Sequence, residues 1–190
     1  RRPVIKNTKD YLNSLIEGIE KFPVILKVVG KGRFHYIKAD GKKSLLSLLD
    51  YLWALNNKVF IQPFIRIKHF AKFLVLGGRA IGSLEVIPQE KTVYWTGKRY
   101  FVVPMVFDET IVKEAVRAVQ SLGLEFASAE ILIDEKDRYY LNDVYFPPNF
   151  YDFFTQNNVN VPEMLIEHLL KKNVKKKQSI DAAPMERCVA

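Results

Sequence analysis

Two carboxylates, Glu130 in ASAEILID and Asp143 in YYLNDVYFPP, stand on either side of a charged turn at about Asp134–Asp137. If the flanking segments are strands paired about that turn, positions 130 and 143 are nearly equidistant from its centre and face one another. Like charges opposed on a sheet repel, and a bound divalent cation reverses the sign of that interaction. Oxygen ligands on a rigid sheet suit Mg²⁺, which typically takes one or two protein carboxylates and fills its shell with phosphate oxygens and water. The same spacing also fits acids that face solvent or a lysine. Lys27 is a second candidate. It ends the apolar run FPVILK and is followed closely by Gly30, Lys31 and Gly32. A lysine with a buried stem and a head beside a glycine turn can meet a phosphate as a point charge, and glycines let backbone N–H groups turn toward the same anion. A snorkelling lysine before an ordinary tight turn has the same sequence, and GKG is not a P-loop, because no GKS or GKT follows at the required spacing. His35, His69 and His168 fall in different elements, with His168 expected at the surface of the last helix, and their spacing supports neither a metal site nor a nucleophile with its base.

The elements that must position these residues are legible in outline. Asn7 and Asp10 open a helical pattern running to Lys21, and residues 22–29 and 33–40 read as a hairpin of strands. SLLSLLDYLWAL, residues 44–55, has helical spacing with Ser44 as its expected N-cap. A short strand at 59–65 stops at Pro63, two strands at 72–88 join through Gly77 and Gly78, and TVYWT and KRYFVV extend the sheet on either side of Gly97. Asp108 caps a helix that Gly123 closes, two strands surround the charged turn, and a last helix starts at Pro162. Hairpins rather than regular βαβ units predict an α+β fold with largely antiparallel sheets.

A chain of 190 residues, 48% apolar, can bury a sizeable core. Its one cysteine, Cys188, excludes an internal disulfide framework and fits a reducing, cytoplasmic setting. Neither an apolar run long enough to span a membrane nor a hydrophobic signal core is present. Of the net charge of +8, half lies from Lys171 onward, where five lysines and Arg187 face Asp181 and Glu186. Residues 171–190 are therefore expected to form a basic, disordered extension.

Taken together, FPVILKVVGKG, VFIQPFI, KFLVLGGRAIGSLEV, the helix leading to LGLEFASAEILI, and YYLNDVYFPPNF resemble the ATP-grasp fold in order and spacing over about residues 3–170. Within it they resemble the branch of RimK-like carboxylate–amine ligases. The resemblance implies two lobes, 1–65 with the glycine hairpin and an adenine-holding strand, and 66–170 with the metal site. It implies nucleotide contacts at Lys27, Gly30, Lys31, Gly32 and Lys72, adenine held through the backbone of Gln62, Pro63, Phe64 and Ile65, and Mg²⁺ at Glu130 and Asp143. Tyr145 stands where relatives place a metal-binding asparagine, and Pro148 matches the proline that follows it. ATP and Mg²⁺ are the implied cofactors. The partners are a nucleotide, a small-molecule or peptide carboxylate facing Arg79, Lys98 and Arg99, and either a partner chain or an N-terminal lobe missing from this sequence. The implied reaction is amide formation through an acyl phosphate. Two alternatives stay open: a nucleotide-binding or structural descendant whose metal site has decayed, and a basic nucleic-acid binder using the lysine tail with Tyr94 and Trp95, which the core-facing pattern of the aromatics disfavours.

Overall fold

The computed structural model describes residues 16–29, 34–88 and 100–181. The chain divides into two compact units, Arg1–Arg66 with Pro88–Arg99, and Ile67–Ile87 with Tyr100–Ala190. The expected strand TVYWT lies outside the described residues, as does most of the expected first helix.

In the first unit β1 (Val24–Val29) lies between β2 (Phe34–Ala39) and β3 (Lys58–Pro63), antiparallel to both. The β-branched run VILKVV suits a central strand. Val24, Leu26 and Val28 point to one face and bury against Leu45, Leu49 and Leu52 of α1 (Lys42–Ala54). Those leucines recur at helical spacing, and burying each is worth roughly 2 kcal/mol. Strand alternation puts Ile25, Lys27 and Val29 on the opposite face. Ser44, expected as the N-cap, sits instead at the third helical position, because Gly41 takes the extended cap conformation. The Gly41 N–H donates to Ser44 Oγ at 3.2 Å, and that hydroxyl donates to the Gly41 carbonyl at 2.8 Å.

The second unit holds a five-stranded sheet in the order β6-β5-β4-β7-β8, from β4 (Ile67–Leu76), β5 (Arg79–Pro88), β6 (Tyr100–Pro104), β7 (Phe126–Asp134) and β8 (Tyr139–Tyr145). β4 runs antiparallel to β5 and β7, and β7 antiparallel to β8. The β4–β5 turn needs Gly77 and Gly78, whose φ values of +57° and +77° favour glycine. α2 (Glu109–Ser121) begins at Asp108, whose carboxylate accepts the Thr110 N–H at 2.8 Å, and Gly123 follows its end at φ +69°. Its Ala115 and Val119 pack on Ala71, Phe73, Val75, Ala127, Ala129, Ile131 and Ile133. The other face meets Phe153 of α3 (Tyr151–Asn157) and Val161 of α4 (Val161–Asp181) around Leu74 and Leu84. With these hairpin-linked strands and helices the fold is α+β.

Two local expectations need correction. The tail expected to be disordered from Lys171 continues α4 as far as Asp181. Its charge had suggested a solvated coil, but no glycine or proline interrupts the stretch, and lysine and glutamine are good helix formers. Lys171 pairs with Glu167 one turn back at 3.0 Å, and Lys172 reaches Glu125 at 2.5 Å. His168, expected at the surface, is half-buried beside the glycine turn, with Nε2 3.4 Å from Glu125 Oε2. No helix among the described residues is long and apolar enough to cross a membrane.

Candidate functional site

One row of side chains crosses four strands of the five-stranded sheet on the face away from α2. Leu84 of β5 pairs with Lys72 of β4, Lys72 with Glu130 of β7, and Glu130 with Asp143 of β8. Register partners in an antiparallel sheet share a face, so Lys72, Glu130 and Asp143 stand side by side. Tyr145 follows Asp143 on the same face, opposite Ser128. The cross-strand pairing of the two carboxylates expected from the turn is present residue for residue.

Glu130 is only 2% exposed, in a strand that is otherwise apolar or small from Ala127 to Ile133 except for Ser128. A charge so buried requires compensation. Lys72 Nζ lies 3.7 Å from Glu130 Oε2, and Asn142 Nδ2 donates to Glu130 Oε1 at 2.7 Å. Asp143 accepts the Val144 N–H at 3.0 Å through Oδ1. Asn142 was not among the residues the sequence pointed to. It enters because the β7–β8 ladder slips by one: Glu130 pairs with Asp143 but Ile131 pairs with Leu141, leaving Asn142 as the extra residue of a bulge. An asparagine next to the second acid was the one available signal, and regular alternation would have aimed it at the opposite face.

The turn that sets this register is held by Asp134. Its carboxylate accepts from the N–H groups of Lys136 and Arg138 at 2.9 Å each and from Arg138 Nε at 2.8 Å. Burial opposes ionisation of Asp134, but the Arg138 N–H, the Arg138 guanidinium and the Lys136 N–H outweigh it and hold the carboxyl below the usual range.

In the first unit Lys27 occupies the middle of β1, only 8% exposed, with Tyr36 and Phe60 as its cross-strand partners. Its Nζ lies 5.5 Å from the centroid of the Tyr36 ring, within cation–π range. Ile25, one step along the same face, pairs with Lys38 and Gln62, and Lys38 Nζ lies 5.3 Å from the Phe64 ring centroid. Lys27, Lys38 and Gln62 therefore share one sheet face. In the QPFI stretch Pro63 carries no N–H, and the Phe64 N–H donates to the Pro23 carbonyl at 3.2 Å.

Of the sequence candidates, Lys72, Glu130 and Asp143 come together. Arg79 does not join them. It is exposed beside the glycine turn, paired with Leu76, four positions along β4 from Lys72 and on the order of 13 Å away at strand spacing. Gly30, Lys31, Gly32, Lys98 and Arg99 lie outside the described residues.

The donor set fits one hard divalent cation. Glu130 and Asp143 supply two adjacent carboxylates, the number that Mg²⁺ typically takes from a protein, and each carboxylate has about four lone-pair directions. Among the described residues no cluster of three His, Cys, Asp or Glu side chains could hold a metal, and Tyr145 offers a phenol, a poor Mg²⁺ ligand at neutral pH.

No family model matches the sequence, and no curated protein does. Solved structures do match the fold. The ATP-grasp ligase PsnB complexed with its minimal precursor superposes with a TM-score of 0.65 at 16% identity, covering 86% of this chain and 52% of PsnB. PsnB is also known with Mg and ADP, and with its precursor peptide PsnA2 and AMPPNP. D-alanine–D-alanine ligase from Bacillus anthracis matches at TM-score 0.62 and 12% identity, over 91% of this chain and 60% of that one. The macrocyclase MdnC from Microcystis aeruginosa MRC, bound with its precursor peptide MdnA, matches at 0.57 and 12% identity, over 86% and 51%. The chain spans about half the length of PsnB and MdnC. It has the ATP-grasp fold, as the resemblance of its segments in order and spacing had implied.

Proposed function

We propose that this chain is the nucleotide- and metal-binding part of an ATP- and Mg²⁺-dependent carboxylate–amine ligase of the RimK-like type. The observation that carries the reading is the row Lys72–Glu130–Asp143, in which a buried acid is placed directly opposite a second acid on a rigid sheet. Such an arrangement is unfavourable for folding alone and useful for holding a cation that binds phosphate. The complexes of PsnB with Mg and ADP and with AMPPNP support the same ligands here.

In this reading Glu130 and Asp143 hold one Mg²⁺, which when bound neutralises charge on the nucleotide phosphates. Lys72 balances Glu130 and steadies phosphate oxygens on the same face. In the first unit Lys27 serves as a phosphate contact with Gly30, Lys31 and Gly32, while Gln62 and the Pro63–Ile65 backbone hold the adenine. With Pro63 lacking a donor and the Phe64 N–H bonded to Pro23, the purine edge there relies on the Ile65 N–H and on carbonyl groups. The reaction transfers the γ-phosphoryl group of ATP to a substrate carboxylate; attack of an amine on that acyl phosphate forms the amide and releases phosphate. The precursor-peptide complexes of PsnB and MdnC favour a peptide carboxylate as substrate. Lys98 and Arg99 are proposed to face it, and Arg79 to meet only a part remote from the phosphoryl group. A partner chain or a further segment completes the ligase, in a cytoplasmic setting.

A second reading has one observation in its favour. Tyr145 stands on the metal face where a further oxygen ligand is expected, so a nucleotide-binding protein that has lost its chemistry fits the same fold. In the tail on which the nucleic-acid alternative relies, Lys171 and Lys172 pair with Glu167 and Glu125, which offsets part of its basic charge. Isothermal titration with ATP, with and without Mg²⁺, tests the proposal. Mg²⁺-dependent binding accompanied by ADP release on adding a peptide carboxylate and an amine is expected of the ligase. Binding without ADP release selects the second reading, and absence of binding at millimolar ATP rejects both.

A further inference from the structure

A side-chain amide does reach this site, from the residue next to the second acid and not from position 145. Asn142 is the extra residue of the β7–β8 bulge, and the slip brings its side chain to the face of its neighbour Asp143. There Nδ2 donates to Glu130 Oε1 at 2.7 Å, on the opposite side of the carboxylate from Lys72, which lies 3.7 Å from Oε2. A short N–H···O⁻ bond at one oxygen and a cation near the other hold the orientation of the Glu130 carboxylate. Asn142 brings no charge, so it adds nothing to the neutralisation of the acids that Lys72 already provides. The bulge is what makes this possible, because in a regular ladder residue 142 would face α2.

We infer that Asn142 is a positioning residue: its amide orients Glu130 so that Glu130 and Asp143 present oxygens to one divalent cation, and the bulge at 142 exists to deliver that amide. This rests on the ligase reading of the site and adds to it a residue and a role. Hydrogen-bonded partners of metal ligands typically change metal affinity by about 10- to 100-fold when removed.

The test uses Mn²⁺ as the probe on the full chain, with affinity measured by counting free Mn²⁺ in electron paramagnetic resonance titrations without nucleotide. Asn142→Ala is expected to weaken Mn²⁺ binding about 10-fold or more. Asn142→Asp keeps the size, removes the donor and adds an acceptor. A positioning role predicts weaker binding for this variant too, although it carries one more negative charge. Tighter Mn²⁺ binding by Asn142→Asp would make residue 142 a direct ligand and overturn the inference. Wild-type affinity in Asn142→Ala would overturn it as well and leave the ligase reading standing. No Mn²⁺ binding by the wild-type chain would end both. Thermal melts monitored by circular dichroism confirm that each variant is folded at the titration temperature, and Asn142→Ser, which retains a donor hydroxyl, replaces Asn142→Ala if the latter does not fold.

Discussion

The two faces of the five-stranded sheet are made from the same strands, residue alternating with residue, yet they obey different rules. Toward α2, the side chains Ala71, Phe73, Val75, Ala127, Ala129, Ile131 and Ile133 form an apolar surface, each 5% exposed or less. On the other face Lys72, Ser128, Glu130 and Asp143 stand among Leu74, Leu84 and Leu132. Glu130 is as buried as its apolar neighbours, so burial alone does not distinguish the faces. The difference lies in partners. The polar face supplies a cation and an amide to its buried acid, and the α2 face offers an introduced charge only methyl and aryl groups. A charge row of this kind adds little to stability compared with a well-packed apolar one. Its presence beside a face that shows how easily the same strands can be made apolar is the argument for function.

The sharpest way to break the comparison is to move the acid by one residue. Ala129→Glu places a carboxylate on the α2 face beside Val119 and without a partner. We expect a loss of about 4 kcal/mol or more, enough to abolish cooperative folding of this unit. Urea unfolding followed by circular dichroism measures it, and a loss below about 1 kcal/mol would mean that the α2 face accommodates charge as the other face does.

Removing the compensation from the polar face should have a smaller effect. Lys72→Met leaves Glu130 buried with Asn142 still donating, and about 2 kcal/mol of destabilisation is expected. Adding Glu130→Leu should bring the double variant back to within about 1 kcal/mol of wild type, since a buried pair can often be exchanged for apolar residues. The double-mutant cycle reads the coupling directly. Equal and additive losses would show that Lys72 and Glu130 do not depend on each other.

The same contrast explains what the sequence revealed. The pairing of Glu130 with Asp143 was legible because the turn residues Asp134–Asp137 mark a centre, and α2 was legible because Asp108 and Gly123 bracket an apolar period. The slip at Asn142 was not legible, because a bulge changes which face a residue takes without altering residue types. α3 escaped notice since YDFFTQN has no apolar period long enough to declare a helix, and its anchor, Phe153, is fixed by packing on Leu74 and Leu84. The extent of α4 was misjudged because charge was weighed above the absence of any breaker. Ser44 was read one turn too literally as a cap, when the glycine before the lysines could serve.

Asp143→Asn separates stability from binding on the polar face. Neutralising one of two opposed acids relieves repulsion, so the apo protein should melt at the same temperature or slightly higher, by at most about 1 kcal/mol. Mg²⁺-dependent ATP binding, measured by titration calorimetry, should be lost. A variant that is clearly destabilised would show that Asp143 is held for folding, and the distinction between the faces would weaken accordingly.

The smallest expected effect concerns acid. Asp134, Glu125 and Asp108 all sit below the usual carboxylate range in the folded unit. Asp134 is held there, against burial, by the N–H and guanidinium of Arg138 and by the Lys136 N–H; Glu125 by Lys172 and then His168; Asp108 by Thr110. A carboxyl with a depressed folded pKa binds protons more readily when unfolded, so each contributes stability that is complete above the unfolded value near pH 4 and lost as the pH falls through its folded value. The melting temperature should be flat from pH 7 to about pH 5 and decline below about pH 4. Asp134→Asn removes the group that fixes the β7–β8 turn, and with it one proton from the uptake on unfolding. Its melting curve should therefore lose part of the acid slope while the slope from Glu125 and Asp108 remains. An unchanged slope would mean that Asp134 has the same affinity for protons in both states. The turn would then owe its register, and the polar face its pairing of acids, to backbone geometry rather than to this charge.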